Sequence, residues 1–76
     1  MSVKKDEQIE YWIQVIQEQV EDSDDPRSSR VKLDAARDLE TQIHERIDSE
    51  NLDDEYVRDV ITRVNNLIEI LKKRID

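Results

Sequence analysis

Apolar residues three and four apart, in three blocks separated by short polar breaks, constrain this chain more than any other feature of its sequence. In the first block Ile9, Trp12, Ile13, Ile16 and Val20 recur at that spacing. On a helix of 3.6 residues per turn they stack into one stripe. The pattern predicts a helix from about Lys4 to Glu21, with Ser2 or Asp6 as its N-cap. Asp22-Ser23-Asp24-Asp25-Pro26 then breaks the period. Proline has a fixed φ and no N–H, so Pro26 suits the first position of a new helix, with Asp25 before it as the cap.

The second block predicts a helix from about Pro26 to Ser49. Its stripe is Leu33, Ala36, Leu39, Ile43 and Ile47, flanked by Val31 and Ala35, the thinnest of the three. Asn51 stands where a left-handed residue commonly closes a helix. The third helix is expected from about Asp53 to Ile75, with Asp53 as cap and Leu52 and Val57 at the spacing of a hydrophobic staple. Val57, Val60, Ile61, Val64, Leu67, Ile68, Leu71 and Ile75 make it the most apolar stripe. Arg63 can pair with Asp59, and Lys73 with Glu69, one turn apart. Lys72, Lys73 and Arg74 suit the negative end of that helix's dipole. No alternating run bounded by turn residues suggests a strand.

Links of three to five residues cannot return the chain along a helix of about 30 Å, so successive helices must run antiparallel. The expected fold is all-α, a single antiparallel up-down-up three-helix bundle, with one domain spanning residues 1–76. Charge supports the arrangement. Lys4 and Lys5 at the start of helix 1, and Arg27, Arg30 and Lys32 at the start of helix 2, oppose their own dipoles. Across the bundle they become complements. Lys4 and Lys5 are expected against Glu45, Asp48, Glu50 and the acidic start of helix 3, and the acidic end of helix 1 against the basic end of helix 3. The stripes are rich in Ile and Val, mediocre helix formers, so the helices depend on packing.

With 12 Lys and Arg against 20 Asp and Glu, the net charge is −8. A field of that sign repels phosphate backbones and anionic lipid, so neither nucleic acid nor membrane is an expected partner. The chain has no cysteine, hence no disulfide or thiolate metal site. Apolar runs of two or three residues are too short for a membrane span, and Met1 to Asp6 reads as a cytosolic start.

Few residues suggest chemistry. His44, the one histidine, lies a turn after Glu40. That pair is half a metal site, with no second histidine to complete it. Glu40 falls among Leu33, Ala36 and Ile47 on a helical wheel, which calls for snorkelling or a contact with Arg63 or Asn65. Asp22, Asp24 and Asp25 lack the glycine and distant glutamate of a calcium loop. Ser23, Ser28 and Ser29 have no base placed to activate them, and cap or turn roles suffice. No catalytic, metal or cofactor residue is expected, and no enzyme. Trp12 is expected as the central core aromatic. Tyr11, Val15 and Ile70 fall off their stripes and form the candidate interaction surface.

At average usage, 76 residues would carry about five glycines, and there are none, nor any cysteine or phenylalanine. Nearly every residue fits core, cap, turn or solvated charge. In these respects the chain resembles computationally designed three-helix bundles. The resemblance implies a monomeric scaffold with no biochemical activity and no required partner. Gln14, Gln17, Gln19, Gln42, Asn65 and Asn66 lend the surface a natural texture. They support the alternative of an acidic natural interaction module that binds a partner helix or a second copy of itself.

Overall fold

Each helix starts where a short acidic side chain satisfies open backbone N–H groups. In this computed structural model, which describes residues 5–22 and 25–75, α1 spans Glu7–Asp22, α2 Pro26–Ser49 and α3 Asp54–Ile75. Asp6 Oδ1 accepts from Ile9 N at 3.0 Å, which makes Asp6 the cap of α1. The other candidate cap, Ser2, lies outside the described residues; Lys5 and Asp6 are not helical, so α1 starts later than the expected Lys4. Asp25 Oδ1 accepts from Ser28 N at 2.7 Å, with Pro26 in the first turn. Asp53 Oδ1 accepts from Glu55 N at 2.8 Å.

Contacts at the helix ends fix the topology. Asp6, before α1, meets Arg46 at the end of α2 and Tyr56 at the start of α3. At the opposite pole Arg74, at the end of α3, donates to the carbonyl of Val20, in the last turn of α1. So α1 and α3 run together and α2 runs against both: an antiparallel up-down-up three-helix bundle. At 1.5 Å per residue the 24 residues of α2 extend about 36 Å, close to the longest dimension of 40 Å. Among the described residues, no helix is long and apolar enough to cross a membrane.

The interior is filled unequally. α1 buries Ile9, Ile13, Ile16 and Val20, and α3 buries Tyr56, Val60, Val64, Ile68 and Leu71. From α2 only Ser29, Ala36 and Ile43 are buried, seven residues apart and two of them small. Leu33, Leu39 and Ile47 are half-buried against the core. The bulk of the core therefore comes from α1 and α3, in line with the thin stripe read for α2.

Four local expectations need correction. Trp12 is half-buried, packed on the core from its edge. The enclosed aromatic is Tyr56, whose hydroxyl finds partners that an indole on α1 would lack. Val31 is 66% exposed and does not flank the buried line. Asn51 is not left-handed, since among the described residues no non-glycine φ is positive. α2 closes instead through extended backbone at Glu50 (φ −108°, ψ 149°), whose N–H donates to the Arg46 carbonyl at 2.9 Å. That extended link leads to Leu52, half-buried against the core.

Ser29 is the fourth. It is no cap or turn residue: it is fully buried within α2, and its hydroxyl has no hydrogen-bond partner among the described residues. A buried unsatisfied hydroxyl costs about 1–3 kcal/mol, and alanine is the better helix former. Ser29→Ala should therefore raise stability by about 1 kcal/mol, read as a higher urea midpoint at unchanged slope. A lower midpoint would show that the hydroxyl has a stabilising interaction of its own.

Candidate functional site

The densest polar assembly sits where α1 begins. Its first member is Asp6, placed there because a cap must precede the helix it starts. While one of its oxygens caps Ile9, both accept from Arg46 Nε at 2.9 Å. Arg46 is the basic residue in the last turn of α2. The antiparallel arrangement brings that turn beside the start of α1. Only 8% of the Asp6 side chain is exposed. Burial pushes its carboxyl up, but Arg46 and the N–H groups of Ile9 and Gln8 outweigh that, so it ends below the ordinary aspartate value.

One turn on, Glu10 is gripped from α3. Its Oε1 accepts from Arg63 Nη2 at 3.0 Å and its Oε2 from Arg63 Nη1 at 3.1 Å, a two-pronged guanidinium–carboxylate pair. Oε2 also accepts from the Tyr56 hydroxyl at 2.6 Å. The Arg63 bonds lower the Glu10 carboxyl, burial opposes them, and Tyr56 and Lys5 lower it further; the net shift is downward. Tyr56 in turn accepts from Asp6 N at 3.1 Å. Burial, then its bond to the Glu10 carboxylate, raises its hydroxyl to about 12. Arg63 also reaches Asp59 at 3.4 Å and Arg46 reaches Glu50 at 3.7 Å, each one turn along its own helix.

The expected pairing of Lys4 and Lys5 with the acids of α2 and the start of α3 is corrected for Lys5. Lys4 lies outside the described residues, and Lys5 is exposed and makes no ion pair among them. The ion pairs between helices at this pole run the other way: α1 brings carboxylates, and α2 and α3 bring arginines. Both sides now suit their dipoles, with acids at a helix start and Arg46 at a helix end. At the other pole the basic end of α3 does meet the end of α1. There Arg74 serves one of the carbonyls that a helix C-terminus leaves without an intrahelical partner.

Glu40 is half-buried and lines a cleft between α2 and α3 with Asn65 and Lys72, one of the two neighbours expected for it. The other, Arg63, is committed to Glu10. His44 is exposed. Among the described residues no three His, Cys, Asp or Glu side chains come together as a metal set. Asp25 acts as a cap, while Ser23 and Asp24 lie outside the described residues. The Lys73–Glu69 pair is replaced by Lys72–Glu69 at 3.5 Å, one residue closer.

The three candidate surface residues differ in exposure. Tyr11 is 60% exposed on α1 and borders an open groove beside Gln14, Glu18 and Arg63. Ile70 is 39% exposed on α3. Val15 is half-buried. Sequence reasoning overlooked Asp6, Glu10, Arg46 and Tyr56 as one unit. A signal was present: Tyr56 stands four residues before Val60, in line with Val64 and Ile68. Comparison with protein-family models, curated proteins and solved structures finds no match.

Proposed function

We propose that this chain is a helical-bundle scaffold, of designed or engineered type, whose property is its fold and which carries no biochemical activity of its own. One observation carries the reading. The groups with shifted proton affinities, Asp6, Glu10, Tyr56 and the two arginines that grip them, are bonded to one another. The bonds that shift them tie three helices together, a structural account of shifts that could otherwise mark a reactive site. The zero-glycine composition and the side-chain cap before each helix agree with the same reading.

The second reading is an acidic interaction module, a binder of a partner helix or of a second copy. It is favoured by Tyr11, a large aromatic 60% exposed beside a groove along α1. One measurement separates the two: thermal unfolding followed by circular dichroism over a hundredfold range of protein concentration. A scaffold gives a midpoint independent of concentration, above about 90 °C if it has the hyperstability common among idealised bundles. A midpoint that rises with concentration means that association supplies the stability, and the scaffold reading fails.

A further inference from the structure

The two ends of α1 are fastened by different chemistry. At its end a guanidinium donates to a backbone carbonyl, Arg74 to Val20. That bond involves no carboxylate. At its start two carboxylates do most of the fastening, beside one bond that holds no carboxylate, from Asp6 N to the Tyr56 hydroxyl. Asp6 joins α1 to α2 through Arg46, and Glu10 joins it to α3 through Arg63 and Tyr56. Asp6 is also the cap, so one proton on it weakens both the helix start and the tie to the neighbouring helix.

We infer that Asp6 and Glu10 form an acid-released clasp: charged, they hold the first turns of α1 to α2 and α3; protonated, they let that end of α1 open while the Val20–Arg74 end stays docked. The groups facing the two carboxylates are Lys5 from the preceding segment, Arg46 and Glu50 from α2, and Tyr56, Asp59 and Arg63 from α3. Arg46 and Arg63, raised above the ordinary arginine value by the carboxylates they grip, keep their charge throughout the acid range. Asp59 and Glu50 act only through the arginines they share, so the carboxylates themselves set the response.

The sign follows from linkage. Both carboxyls lie below their ordinary values of 3.8 and 4.5 in the folded chain. The clasp is therefore at full strength above that range. It is lost as pH falls through the lowered folded values. Ile9, fully buried one turn inside the clasp, opposes complete detachment, so the open form is a minor population that acid enlarges.

Amide exchange read by NMR tests this, with rates converted to protection factors to remove the intrinsic pH dependence. Between pH 6 and pH 3, protection at Ile9 and Glu10 should fall at least tenfold more than at Ile43 and Val64. A second arm uses the double variant Asp6→Asn, Glu10→Gln. Asparagine still caps a helix and glutamine keeps the shape of glutamate, but neither carries charge. At pH 6 it should already show the low protection of the acid state at Ile9 and Glu10, with no further drop in acid. An equal fall at all four amides in the native chain would overturn the inference. So would an undiminished acid step in the variant, or loss of protection throughout the variant at pH 6.

Discussion

Leu71→Ala is expected to lower the stability of the bundle by about 3 kcal/mol. Leu71 is fully buried, near the pole where α1 and α3 end. Removing three carbons from such a site forfeits their burial and leaves a cavity that a close-packed interior closes only in part. A chain of 76 residues has a total stability of about 4–11 kcal/mol, so this one change consumes a large share. At roughly 4–8 °C per kcal/mol for a domain of this size, the thermal midpoint should fall by about 12 °C or more. Val31→Ala is the matched control. Val31 is 66% exposed, and alanine has the better helix propensity by about half a kcal/mol, so its midpoint should hold or rise slightly. Paired chemical denaturation curves decide the matter. A Leu71→Ala loss smaller than about 1 kcal/mol, or equal to that of Val31→Ala, would place Leu71 outside the core.

The contrast between these two residues shows how much of the fold was legible. The three helices, Pro26 at the start of α2 and the buried line through Val60, Val64, Ile68 and Leu71 follow from spacing alone, because periodicity is a property of the chain. What spacing cannot decide is which side of a stripe turns inward and which lies at the rim. That is settled between helices, and it separates Val31 from Ser29 and Trp12 from Tyr56. Helix boundaries carry larger consequences. Starting α1 at Lys4 places two lysines in its first turn and predicts acids opposite. Starting it at Glu7, as Asp6 does by capping, puts Glu7 and Glu10 in that turn and brings arginines opposite. The ion pairs that form at this pole therefore run from carboxylates of α1 to arginines of α2 and α3. The clasp was hidden for the same reason: its members are 40 to 53 positions apart in sequence, and the antiparallel register that joins them depends on where each helix begins.

Tyr56→Phe is the second large effect, and it isolates hydrogen bonding from packing. Phenylalanine keeps the ring that fills the space between α1 and α3 and deletes one oxygen. Lost are the 2.6 Å bond donated to Glu10 and the 3.1 Å bond accepted from Asp6 N. A bond to a charged acceptor contributes about 1.5–3 kcal/mol. Arg63 still holds Glu10, which limits the damage, so a loss of about 2 kcal/mol is expected at neutral pH. The pH dependence makes the assignment specific. The folded chain keeps the Tyr56 proton up to about 12, where an unperturbed tyrosine releases it near 10. Between those values the unfolded chain binds fewer protons than the folded one, so stability falls as pH rises through the window and the contribution is intact below it. The difference in stability between the native chain and Tyr56→Phe should therefore be constant below pH 10 and shrink toward pH 12. Every other group is common to both proteins and cancels in that difference. Urea unfolding followed by circular dichroism at pH 7, 9, 10 and 11 gives the two curves. A difference that stays flat to pH 11, or a variant as stable as the native chain at pH 7, would mean that the hydroxyl contributes nothing to the joint between α1 and α3, and the assembly at the start of α1 would rest on its two arginines alone.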